Sequence, residues 1–136
     1  MKIAFAALAL GAFAITASSS TSATAEEPLE SRINIESKLD AKAGKVNITL
    51  KGKDAAVYIN TDYSLKCDLR IADGGKLEKT QVVKADAKFE ASGKEGKAKS
   101  ATFSISADKA VSGECKLVAC SDSACSSPFK QSFTGT

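Results

Sequence analysis

Short runs of alternating apolar and polar residues are the feature that most restricts the fold of this chain. From Arg32 onward, apolar residues recur at every second position, and the clearest run sets Ala101, Phe103 and Ile105 against small polar neighbours. A period of two is that of a β-strand with one buried face, whereas an amphipathic helix repeats about every 3.6 residues. Roughly seven or eight such runs occur, with turn residues between them. The sequence therefore predicts an all-β fold, and the spacing favours an immunoglobulin-like antiparallel β-sandwich.

Two segments carry most of the cysteines. A strand is predicted to begin at Val57, to be interrupted at Asn60-Thr61-Asp62 and to resume over residues 65–71, which places Cys67 on its inward face. A later strand over residues 115–120 places Cys115 on the inward face and Cys120 on the opposite face. After a cysteine-closed turn, Pro128 is expected to open a last strand.

The N-terminus has the form of an export signal. Lys2 precedes an apolar run from Ile3 to Ile15, and Ala23-Thr24-Ala25 has the small-x-small form of a signal-peptidase site. The apolar run is shorter than the about 20 residues that a membrane span needs. We therefore predict a cleaved signal peptide over residues 1–25, a single domain over residues 26–136 without a membrane span, and a periplasmic or secreted location.

Four cysteines indicate disulfides, because an even count in a small exported chain leaves none unpaired. Four cysteines allow three connectivities, and strand phase favours Cys67 with Cys115, which leaves Cys120 with Cys125. In the chain-entropy estimate, the long loop contributes about 4 kcal/mol and the short loop about 2 kcal/mol. The first disulfide is therefore interpreted as structural. The second is expected to be exposed, and is the candidate redox pair.

The composition argues against several classes of function. The chain contains no histidine, so a Ser-His or Cys-His base arrangement cannot form. Neither the C-x-x-C spacing of thioredoxin-type sites nor that of zinc sites occurs. The 19 basic and 16 acidic residues are interleaved, as in Lys94-Glu95-Gly96-Lys97, which is typical of a solvated face rather than a nucleic-acid surface. We therefore predict no metal, no cofactor and no nucleic-acid partner.

Three parts of the sequence carry a family resemblance: Tyr58-Ile59-Asn60-Thr61-Asp62-Tyr63, Gly113, and the strand with its cysteine turn from Lys116 to Pro128. Together they resemble the N-terminal periplasmic domain of the thiol:disulfide interchange protein DsbD and the small exported proteins that share this immunoglobulin-like domain. The resemblance extends over residues 43–133. Ser64 stands where that family has a proline.

The resemblance has an implication for each pair of cysteines. In the full interchange proteins, two cysteines carry electrons from a membrane domain to periplasmic acceptors, and the resemblance implies this role for Cys120 and Cys125. Cys67 and Cys115 are additional to the family pattern, which implies a domain strengthened for an oxidising setting.

The segment from Asn60 to Tyr63 has two interpretations. The first, which we prefer, is a structural turn, because Asn and Asp side chains can bond their own backbone. In the second, Asn60, Tyr63 and Asp122 form a binding rim beside the cysteine turn.

Two functions remain open. The first, ranked slightly ahead, is a non-enzymatic binding or structural module of a bacterial-type cell envelope, stabilised by two disulfides, because no electron-supplying domain is evident. The second is a periplasmic thiol-disulfide exchange protein that uses Cys120 and Cys125. For both functions we expect this chain to be a monomer that binds a protein partner in the envelope. In the second function, the chain and that partner exchange disulfides.

Overall fold

Two antiparallel β-sheets pack face to face in the computed structural model, which describes residues 28–136. The predicted all-β sandwich class is confirmed, with ten strands where seven or eight were expected. The strands are β1 (Ile33–Asp40), β2 (Lys45–Gly52), β3 (Tyr58–Asn60), β4 (Lys66–Ile71), β5 (Gln81–Val83), β6 (Lys88–Lys94), β7 (Lys97–Ser106), β8 (Val111–Leu117), β9 (Ala119–Cys120) and β10 (Phe129–Phe133). Short 3-10 turns occupy Leu29–Ser31 and Lys84–Asp86.

The export prediction falls on residues outside those described. The predicted signal peptide and its cleavage site lie within residues 1–27, so both stay predictions. Across residues 28–136, no helix has the length and apolar character needed to cross a membrane.

The first sheet is built around β7, and the second has the order β10-β8-β4-β5. One edge of β7 pairs with β6, while the other pairs with β2 along its C-terminal part and with β3 at its start. Beyond these, β1 continues the sheet from β2, and β9 continues it from β3. The short strands β3 and β9 thus form a small extension of the sheet.

The core lies between the sheets and follows the period-two alternation. Inward residues of β2 and β7 are almost completely buried, whereas several of their outward neighbours are exposed. The largest fully buried side chains are Phe103, Ile33, Ile48, Leu50, Ile59, Leu65 and Leu117. Burial of these apolar side chains is the main stabilising term of a domain this small.

A β-bulge occurs in the pairing of β6 with β7, at the point along β7 where its other edge changes partner. Adjacent residues of β6 pair with Ser100 and Ala98, which leaves Lys99 as an extra residue on β7. The extra residue shifts the alternation, because a bulge places two residues opposite one. Ala98 and Ala101 are therefore both buried, although they lie three residues apart. At this shift β7 changes its partner from β2 to β3.

The chain changes sheets at two places, the first at the predicted interruption after Asn60 and the second inside a strand that was predicted to be continuous. Residues 61–65 separate β3 in the first sheet from β4 in the second. Val118 separates β8 in the second sheet from β9 in the first, so the prediction of one strand over residues 115–120 is wrong. Since the chain crosses between the layers here, residues 117–120 are all buried instead of alternating.

The Cys67–Cys115 disulfide is present in the predicted pairing. The two cysteines are directly opposite each other on β4 and β8, and both side chains are fully buried in the core. The bond joins the two central strands of the second sheet. Its place in the core supports the structural role expected for it.

Candidate functional site

Cys120 and Cys125 form a second disulfide, which closes a tight loop that we call the cysteine loop, residues 120–125. Cys120 ends β9, and Cys125 pairs with it as an antiparallel bridge. Inside the loop, the N–H of Ser121 donates to the carbonyl of Ala124 at 2.7 Å. Just outside it, the N–H of Ser126 donates to the carbonyl of Ala119, also at 2.7 Å. The loop is therefore a small hairpin with a defined backbone.

The two cysteines of the loop lie in different surroundings. Cys120 is fully buried, whereas Cys125 is exposed. The expectation that the whole pair is exposed is therefore wrong for Cys120, because β9 belongs to the sandwich and pairs with β3. Of the two, Cys125 is the cysteine that a thiol in solution can reach.

Asn60 lies directly against this disulfide. Its side-chain Nδ2 is 3.6 Å from Sγ of Cys120 and 3.8 Å from Sγ of Cys125, within hydrogen-bonding range for sulfur. Its Oδ1 accepts hydrogen bonds from the backbone N–H groups of Asp62, at 2.7 Å, and Tyr63, at 3.1 Å. Since the oxygen is used in this turn, the amide N–H groups face the two sulfurs.

Strand β3 sets the distance between Asn60 and the disulfide. Tyr58 and Ile59 pair with Cys120 and Ala119 of β9, and Asn60 is the next residue of β3. The backbone N–H of Asn60 continues this pairing by donating to the carbonyl of Val118 at 3.0 Å. Ile59 is fully buried and anchors the short strand in the core. The contact thus rests on regular strand pairing.

Two lysines of the β6–β7 hairpin also contact the cysteine loop. The Nζ of Lys94 is 2.9 Å from Oδ1 of Asp122, and the Nζ of Lys97 donates to the Asp122 carbonyl at 3.2 Å. The hydrogen bond from Lys94, followed by its charge, lowers the pKa of Asp122, and the same contact raises the pKa of Lys94. Exposed ion pairs add little stability, so the contact mainly orients the loop.

The three predicted rim residues lie near the cysteine loop but contact it in different ways. Asn60 contacts the disulfide, Asp122 belongs to the cysteine loop, and Tyr63 joins the group through its backbone N–H. Lys94 and Lys97 were not predicted as site residues, because their interleaved charges are typical of a solvated face. No local pattern could have indicated them, since Lys97 lies 25 residues from Asp122 and meets it through the sheet order.

The site is made of sulfur, amide and ion-pair groups. Among residues 28–136, no three His, Cys, Asp or Glu side chains cluster in a way that could hold a metal ion. The groups at the cysteine loop can bind or stabilise a sulfur anion, and they can position the loop for contact with another protein.

Comparisons of the chain with protein-family models, with curated proteins and with solved structures find no match. The resemblance to the interchange protein domain therefore stays a prediction, and the function is argued from the geometry of the site.

Proposed function

We propose that this chain is an extracytoplasmic β-sandwich protein whose Cys120–Cys125 disulfide exchanges with thiols of a partner protein. The observation that carries the proposal is the asymmetry of the bond, with Cys125 exposed and Cys120 buried beneath it. The amide of Asn60, held against both sulfurs, supports the same chemistry.

The exchange runs in two balanced steps. A thiolate of the partner attacks Sγ of Cys125, a mixed disulfide forms, and Cys120 leaves as a thiolate. A second partner thiol, once deprotonated, attacks the partner's first sulfur, which is the one bonded to Cys125 in the mixed disulfide. This closes a disulfide in the partner and releases Cys125 as a thiolate. The partner loses two electrons and the chain gains them. In the reverse direction, reduced Cys125 attacks a partner disulfide and Cys120 resolves the mixed disulfide.

The location proposed for this chemistry follows from the disulfides themselves. Two disulfides suggest an oxidising environment outside the cytoplasm, because such bonds are rare where thiols are kept reduced. A periplasmic or secreted location is the finer proposal, supported by the sequence pattern of residues 1–25.

A second candidate is the non-enzymatic module, in which both disulfides are structural. The observation in its favour is the number of contacts that hold the cysteine loop, including its own hairpin bonds and those to Lys94 and Lys97. In this case Cys120–Cys125 fixes the shape of a surface loop that binds an envelope protein. The two candidates differ in whether the bond opens in the folded protein.

Glutathione attack on the folded, oxidised protein tests the exchange function. We expect a mixed disulfide between glutathione and Cys125, found by rapid acid quenching and peptide mapping, while Cys67–Cys115 stays closed as the internal control. The reason is that the exposed sulfur is reachable, whereas the core disulfide is not. No reaction until the protein is unfolded by denaturant would favour the structural module, whereas glutathione attached to Cys120 would contradict the assignment of Cys125 as the attacked sulfur.

A further inference from the structure

We infer that Asn60 stabilises the thiolate that Cys120 forms when the loop disulfide opens, which makes its carboxamide a catalytic group of the exchange. This inference rests on the proposed function, because it concerns the leaving group of that reaction. The sequence predicts a turn or a binding rim for Asn60, and neither interpretation gives this residue a part in sulfur chemistry.

The need for such a group follows from the burial of Cys120. Attack on the exposed sulfur of Cys125 makes Cys120 the leaving group, and its side chain is fully buried. Burial away from water disfavours a charged thiolate and raises its pKa. A thiol of higher pKa leaves more slowly in disulfide exchange. Without a compensating donor, the buried end of this bond would resist opening.

The amide of Asn60 is placed to meet this need. Its Nδ2 lies nearer to Cys120 Sγ, at 3.6 Å, than to Cys125 Sγ, at 3.8 Å. An N–H hydrogen bond to a charged acceptor is stronger than one to a neutral acceptor, so the contact strengthens as charge develops on sulfur.

The donor is also fixed before the reaction begins. The Asx turn with Asp62 and Tyr63 holds the side chain through its oxygen, so the amide nitrogen needs no reorientation when the bond opens. A preorganised donor of this kind favours the charged state at little cost in reorganisation.

The native charged groups around the loop are unchanged in the variants compared below, and only Asn60→Asp adds a carboxylate. On the cysteine loop itself, Asp122 is paired with Lys94 and contacted by Lys97. From the neighbouring turn, the acid closest in sequence to Asn60 is Asp62. Any effect of these groups on the sulfur is therefore common to the wild type and the variants.

Asn60→Asp should have the largest effect, because the carboxylate keeps an oxygen for the Asx turn, removes the N–H donors and adds a negative charge beside the sulfurs. We expect its loop disulfide to open with glutathione roughly tenfold more slowly. Asn60→Ala removes the donor without adding a charge, so its smaller slowing measures the hydrogen bond itself. Asn34→Ala, at a half-buried asparagine on β1, is the matched control and should open at the wild-type rate.

A second readout separates sulfur chemistry from folding and does not need exchange. In a Cys125→Ala background, the absorbance of the thiolate at 240 nm gives the pKa of Cys120, with Cys67–Cys115 intact. We expect Asn60→Asp, and to a smaller extent Asn60→Ala, to raise this pKa. If the wild-type loop never opens in the folded protein but the Cys120 pKa still rises, the exchange function fails while the contact to sulfur stands. Folded Asn60 variants with an unchanged Cys120 pKa and a wild-type opening rate would overturn the inference.

Discussion

Replacing Cys67 and Cys115 together by alanine is expected to lower the free energy of unfolding by about 4 kcal/mol. The bond closes a loop with a sequence separation of 48, so its loss frees a long segment of the unfolded chain. Both side chains are fully buried, and the removed sulfurs leave space in the core. Urea denaturation of the two proteins under non-reducing conditions measures the difference.

The matched control is the double replacement of Cys120 and Cys125 by alanine. Its loop has a sequence separation of 5, for which the same estimate is about 2 kcal/mol. Cys67–Cys115 should therefore contribute about twice as much to stability as the loop bond. An equal loss in both proteins would contradict the assignment of Cys67–Cys115 as the main structural disulfide.

Phe103→Ala is expected to lower the free energy of unfolding by about 3 to 5 kcal/mol. Phe103 is fully buried in β7 and is opposite Ile48 of β2, so removal of its ring leaves a cavity between the sheets. Denaturant titration followed by far-ultraviolet circular dichroism gives the change. Both disulfides should be checked by mass spectrometry, so that the loss is assigned to packing alone.

Ser104→Ala provides the control for Phe103, because its side chain is the exposed neighbour on the outer face of the same strand. We expect its stability to stay within about 0.5 kcal/mol of the wild type. A similar loss at both positions would mean that β7 does not separate a core face from a solvent face.

Much of the fold was predictable from local alternation. The run around Phe103 indicated a strand with one buried face, and the inward phase of Cys67 and Cys115 led to the pairing that the structure contains. The change of sheet at Val118 was not predictable, because a continuous apolar run looks the same whether or not the chain crosses between layers. The bulge at Lys99 was also not predictable from the sequence, because it depends on how β6 pairs with β7.

The candidate site was predictable only in its local parts. The sequence indicated the short loop between Cys120 and Cys125 and the turn at Asn60, because both depend on neighbouring residues. The contact between Asn60 and Cys120 joins residues 60 positions apart and depends on the pairing of β3 with β9. Asn60 therefore lies beside the disulfide only once the sheet has formed.

A redox titration of both disulfides tests most directly the central claim, that Cys120–Cys125 exchanges while Cys67–Cys115 holds the sandwich. The oxidised protein is equilibrated in glutathione and dithiothreitol buffers of defined potential, and free thiols are counted by mass tagging and mapped to peptides. We expect the loop bond to open in the range of about −120 to −270 mV known for exchange proteins, while the core bond stays closed below about −300 mV. If the loop bond also stays closed below about −300 mV, both disulfides are structural and the exchange function is contradicted.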